Sequence, residues 1–200
     1  DSLFVSNSVI RSNQALINGG AIYFHNIYSA QDREVHIQIE NSHFSYNSAN
    51  TNGGAISISS MNYYVAAGLG SYNETGITIL NSILRNNSTL GNGGSIYIYS
   101  KNINSIWLKN SEISNNSAIL NGGGMYGYSG LASGSLDVCN VYFYIDSSLI
   151  TENTSNQDGG GLYLSSDGNS TIYLDYSELS NNIATGNGGG YYCESVGRGS

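Results

Sequence analysis

One block recurs six times along this 200-residue chain without a gap. It starts at Ser8, Ser42, Ser82, Ser111, Ser148 and Ser177. Two positions on stands an apolar residue: Ile10, Phe44, Leu84, Ile113, Ile150, Leu179. Five positions on stands Asn13, Asn47, Asn87, Asn116, Asn153 or Asn182. A Gly-Gly pair follows, beginning at Gly19, Gly53, Gly93, Gly122, Gly159 and Gly188. Such a register is the mark of a repeat architecture, in which each unit buries its apolar face only against its neighbours.

Two alternating patterns flank the block. Three and five positions ahead of the serine, every copy is apolar, as in Ile37 and Ile39 or Ile77 and Ile79. After the glycines the order is small, apolar, usually Tyr, apolar, as in Ser95-Ile96-Tyr97-Ile98. Period-two alternation reads as strands with one face inward. Copies as short as 29 residues are too small for a propeller blade, which needs about 40–50. The pattern instead predicts an all-β fold: a right-handed, single-stranded parallel β-helix of about six coils, one solenoid over residues 1–200. In such a stack every side chain lies above its equivalent, about 4.8 Å away. Asn7, Asn41, Asn81 and Asn110, followed by Ser147 and Tyr176, are read as an asparagine ladder at a bend. The glycine pair is expected at a corner that needs positive φ or close backbone approach. Both ends of the chain fall inside a repeat, which reads as a window of a longer protein. Copies of the chain, or flanking coils, are the expected end-to-end partners.

The copy Phe44-Ser45-Tyr46-Asn47, followed by Gly53-Gly54-Ala55-Ile56, and the second Gly19-Gly20-Ala21-Ile22 run, resemble the repeat of the polymorphic outer-membrane proteins of bacterial autotransporters. The resemblance implies a β-helical passenger at the cell surface, extracellular, with a part in adhesion.

Composition narrows the functions. With a net charge of −8 and six Lys plus Arg, no basic stripe for nucleic acid can be assembled. No apolar run is long enough for a membrane-spanning helix. Cys139 and Cys193 are too few for a disulfide framework or a four-ligand zinc site, and a bond between them stays open. His25, His36 and His43 fall in different rows and do not converge on a metal. No cofactor is expected.

Three classes of function remain. The first is a non-enzymatic structural or adhesive module. The second is a polysaccharide lyase or glycosidase, for which Asp146 and Asp175 are the candidate carboxylates, one rung apart. Against it stands Lys109, on the rung beside Asp146, where it can compensate that charge. The third is a lectin-like adhesin binding carbohydrate on outward aromatic rows. These are Tyr23, Tyr97, Tyr126, Tyr163 and Tyr192 after the glycines, and Trp107, Tyr144 and Tyr173 ahead of the serine. Stacked rings stabilise a sheet face, and exposed aromatic patches mark interfaces. Of the Asn-x-Ser/Thr acceptors, Asn73 and Asn169 lie in variable loops, where glycan is expected in a eukaryotic secretory setting. Asn86 and Asn115 are further acceptors, whereas Asn87 and Asn153 lie in the block's asparagine row and are expected to be tied into it.

Overall fold

The computed structural model describes residues 1–28, 34–62, 74–101, 103–130 and 139–196. They form a parallel β-helix of six coils, built as four six-stranded sheets in which each strand pairs with its equivalent in the coils before and after. The first sheet holds Ser2–Ser6, Val35–Glu40, Glu74–Leu80, Ile103–Lys109, Val141–Asp146 and Ser170–Asp175. The second holds three-residue strands from Val9–Arg11 to Glu178–Ser180. The third holds two-residue strands from Gln14–Ala15 to Ile183–Ala184, an element too short to leave an alternation in the sequence. The fourth runs from Ile22–Tyr28 and Ile56–Asn62 to Tyr191–Ser195.

The inward rows behave as the alternation requires. Ile37, Ile77, Ile106 and Phe143 stack with no exposure, as do Phe44, Leu84, Ile113 and Ile150. Each contributes roughly 1.5–3 kcal/mol of burial. Gly127 interrupts its inward row, and the reason is a neighbour. A Cβ there would lie 2.8 Å from both Phe143 Cε1 and Val141 Cγ1, so the large Phe143 fills the space that Gly127 vacates. Cys193 also sits on an inward row, in register with Leu164. It is nevertheless exposed, because it belongs to the last described coil. Its thiol donates to the Ser170 carbonyl at 3.3 Å, while the buried Cys139 donates to Lys101. The two are not bonded to each other.

Each coil turns at left-handed residues. One row is Asn7, Asn41, Asn81, Asn110, Ser147 and Tyr176, with φ between 44° and 50°. A second is Ser12, Tyr46, Asn86, Asn115, Glu152 and Asn181, and a third is the first glycine of each pair, with φ of 63° to 70°. The first row is therefore not the amide ladder expected from sequence. Its members are exposed, and asparagine recurs there because it tolerates the left-handed region better than most residues. The amide ladder runs along the block's own asparagine row. From Asn13 to Asn153, each backbone N–H and each Nδ2 donates to the Oδ1 one coil on, at 2.9–3.1 Å. Asn87 and Asn153 are tied in as anticipated.

Two further ladders support it. The backbone N–H of each block serine, from Ser8 to Ser148, donates to the hydroxyl of the next block serine at 3.0–3.1 Å. That hydroxyl in turn donates to the carbonyl two residues before it. Ahead of the glycine pairs runs Asn52, Asn92, Asn121, Asp158 and Asn187, where the later coil donates to the earlier side chain. Its polarity is opposite to that of the first amide ladder. Asp158 fits this ladder because its carboxylate meets only donors, the N–H and Nδ2 of Asn187.

Variation in coil length is confined to one corner. Equivalent serines are 34, 40, 29, 37 and 29 residues apart. The surplus falls between a fourth-sheet strand and the next first-sheet strand. Asn73 lies there, outside the described residues.

Candidate functional site

The outward rows of the first sheet line a concavity that combines rings and charges. Trp107, Tyr144 and Tyr173 are register partners on consecutive strands. Their rings stack with centroids 3.9 Å apart for Trp107–Tyr144 and 4.8 Å for Tyr144–Tyr173, at interplanar angles of 15° and 2°. Tyr142 flanks Tyr144 at 6.0 Å. On the rung before Trp107 the same row carries Thr78, so the indole face turned toward that coil has no ring over it. The next outward row holds Gly76 and Ser105. Small side chains in these rows leave a cleft of about 670 Å³. Gly76, Thr78 and Ser105 lie along it, with Trp107 on one side and His36 and Glu74 on the other. A Cβ on Gly76 would meet Ser105 Oγ at 3.0 Å, His36 Nδ1 at 3.7 Å and Glu74 Oε1 at 3.8 Å, so the glycine keeps that side open. Ser105 donates its hydroxyl to Glu74.

Sequence reasoning finds the ring row and misses the hollow. The signal is present in the two outward rows, where Gly76, Thr78 and Ser105 stand next to the chain's single Trp.

Asp146 and Asp175 are register partners at the cleft margin. Lys109 Nζ lies 3.0 Å from Asp146, the compensation expected from the shared row. Hydrogen bonds from Ser147 and Lys109 hold the Asp146 carboxyl below the usual aspartate range. A general acid needs the opposite shift, upward toward the working pH.

The tyrosines of the fourth sheet form a second stack. Tyr97, Tyr126, Tyr163 and Tyr192 follow one another at 5.2, 4.8 and 5.1 Å. Tyr99 and Tyr128 stack beside them at 5.6 Å. Tyr23 stands apart, because Ser57 occupies the rung between it and Tyr97, and its ring lies instead against His25. Tyr163, between two rings, is only 9% exposed, whereas Trp107 and Tyr173 are 47% and 52% exposed. Burial, then the charge of Glu194, pushes the Tyr163 phenol up to about 12, and burial and neighbouring phenols raise Tyr97 and Tyr126 as well.

An alkaline titration tests this packing. Phenols of an unfolded chain ionise near 10. A group whose folded pKa is raised stabilises the fold below its unfolded value and loses that contribution as pH rises through the folded value. Phenolate absorbance should therefore rise in two phases, with the ladder tyrosines in the later one. Resistance to urea should fall from about pH 10 upward. A single phase near 10 would show that the ladder is not packed this way.

Of the candidate glycan acceptors, Asn169 is exposed, and its backbone N–H donates to Asn140 Oδ1 at 2.9 Å. Asn86 and Asn115 occupy left-handed corner positions, the first half-buried and the second exposed. Among the described residues no group of three or more His, Cys, Asp or Glu is placed to hold a metal, and no helix is long and apolar enough to cross a membrane.

A family model describing the Chlamydia polymorphic membrane protein repeat matches residues 41–59. This span contains the Phe44–Asn47 and Gly53–Ile56 motifs and covers one corner-to-corner passage of the second coil. The matched span is thus similar to a polymorphic membrane protein repeat, and the match is consistent with a cell-surface location. No curated protein and no solved structure matches the chain.

Proposed function

We propose that the chain is a non-catalytic adhesive module of a cell-surface protein, a rigid β-helical rod that presents the Trp107–Tyr144–Tyr173 cleft to carbohydrate. The observation that carries this reading is the indole of Trp107. It is exposed, it ends a ring stack, and its free face borders a cleft of about 670 Å³. A sugar ring laid on that face continues the stack by one rung. Hydroxyls and carboxylates around the cleft, such as Thr78, Asp175 and Glu74, match the polar rim that fixes orientation in small-molecule sites. The reading gives Asp146 and Asp175 no catalytic part, which the Lys109 pairing and the lowered Asp146 pKa support.

Trp107 is the only Trp, so its fluorescence reports directly on the cleft. Glycan-array binding followed by fluorescence titration should identify at least one oligosaccharide that perturbs Trp107. Trp107→Ala should then weaken binding on the array by about tenfold, the effect of losing one aromatic stacking partner. Tyr97→Ala, on the other sheet, should leave it unchanged. Binding that survives Trp107→Ala, or no binding to any glycan, overturns the assignment of the cleft. Appearance of new reducing ends, abolished by Asp175→Asn, would replace it with an enzymatic role.

A further inference from the structure

A basic cluster on the second sheet lies outside everything described so far. Arg11, Ser45 and Arg85 are register partners on three consecutive strands. The two arginines are therefore two rungs apart, about 9–10 Å, with Ser45 between them. Both arginines are exposed, whereas Ser45 is 3% exposed. The outward row beside them carries His43, on the same strand as Ser45. Its Nε2 is buried and has no hydrogen-bond partner.

Three features make this arrangement unusual in a chain of net charge −8. Among the described residues neither arginine forms an ion pair with a carboxylate. Farther along the same row the hydroxyls are occupied: Ser114 donates to Glu112, Ser180 donates to Glu178, and Thr151 and Ser180 lie 3.2 Å apart. The Ser45 hydroxyl enters none of the hydrogen bonds described. The buried His43 Nε2 beside it is likewise unmatched, and an unmatched buried polar atom is costly.

We propose that Arg11, Ser45 and Arg85, with His43 beside them, form a binding site for a single oxyanion of sulfate or phosphate size. Guanidinium forks from two sides suit a tetrahedral anion, because each presents paired N–H donors to paired oxygens. The Ser45 hydroxyl supplies a donor at the floor. His43 titrates in answer to the bound charge. In the free protein its imidazole is held below the ordinary histidine value by burial and by Arg85, then Arg11, against the opposing pull of Glu112. A bound anion reverses the balance by favouring the imidazolium, which turns Nε2 into a donor. The site recognises the anionic group itself, whether free in solution or carried on a larger ligand.

NMR titration of the histidine ring signals with sodium sulfate, phosphate, acetate and chloride at matched ionic strength tests this. Sulfate and phosphate should raise the His43 pKa saturably, and His25 and His36 serve as internal references. Chloride should produce no saturable shift, and acetate a weaker one, since it is smaller and singly charged. Arg85→Gln and Arg11→Gln, both surface changes that should leave the circular dichroism spectrum unaltered, should each weaken sulfate binding about tenfold. Ser45→Ala should weaken it without altering the His43 pKa of the free protein. The proposal fails if chloride matches sulfate, if no saturable shift occurs, or if the double arginine variant binds as the wild type does.

Discussion

Gly94→Ala is expected to prevent the chain from completing its stack. Gly94 is the second glycine of its pair, and its φ is not in the left-handed region, so the obstacle is space rather than conformation. An added Cβ would lie 2.0 Å from the Gly123 carbonyl oxygen and 2.7 Å from backbone atoms of Ser117. All three are main-chain atoms of the next coil, and none can swing aside. Relief requires the coils to part at this corner. Parting stretches the bonds from Gly94 N to Gly122 O at 3.0 Å and from Ser95 N to Gly124 O at 2.9 Å. With the overlap itself, the loss should reach about 4 kcal/mol or more, the range of severe core disruption. Gly189 supplies the control. It is the equivalent glycine of the last described coil, and its Cβ would meet nothing nearer than Asn182 O at 3.0 Å. Urea unfolding should show Gly94→Ala strongly destabilised and Gly189→Ala far less so. Equal effects at the two positions would mean that coil-to-coil approach is not what the second glycine serves.

Asn116→Ala should cost nearly as much, through hydrogen bonds rather than overlap. Asn116 is 1% exposed. Its Oδ1 accepts from the Asn87 N–H at 2.9 Å and from Asn87 Nδ2 at 3.0 Å. Its Nδ2 donates to the Leu84 carbonyl at 3.0 Å and to Asn153 Oδ1 at 2.9 Å. Truncation strands the donors of Asn87 and the Leu84 carbonyl away from water. At about 1–3 kcal/mol for each buried group left unmatched, with partial relaxation, a loss of about 3–5 kcal/mol is expected. Asn116→Asp keeps the acceptor but turns a second oxygen toward the Leu84 carbonyl and Asn153 Oδ1, so it should be no milder. Asp158 is tolerated in the other ladder because its carboxylate faces only N–H donors. Thermal unfolding of the two variants checks this. An Asp variant as stable as the wild type would show that the ladder does not discriminate the amide.

The parts of the fold visible in the sequence are those with a period. Inward isoleucines, the Trp107–Tyr144–Tyr173 row and the Lys109–Asp146 pair follow from register alone, since equal offsets put residues on equal rungs. Backbone conformation is harder to see. The row from Asn7 to Tyr176 carries asparagine for its φ, and an amide ladder leaves the same mark in a sequence. Its replacement by Ser147 and Tyr176 is the clue, for a ladder needs an amide and a left-handed turn does not. The serine that opens each block was legible as a position but not as a role, because its hydroxyl serves one coil's N–H and another residue's carbonyl at once. The cleft was illegible for a different reason. It is made by what Gly76, Thr78 and Ser105 lack, and small residues beside a Trp mark a hollow only once the register puts them on adjacent rungs.

The two amide ladders donate in opposite senses along the axis, each at its own corner, and this makes the two faces of a coil different. Viewed from either side, each coil shows side-chain donors in one ladder and side-chain acceptors in the other. The upper face of any coil therefore matches the lower face of the next like plug and socket. Inverting one coil sets amide hydrogens against amide hydrogens and lone pairs against lone pairs. A coil therefore cannot be stacked upside down on its neighbour without losing both ladders.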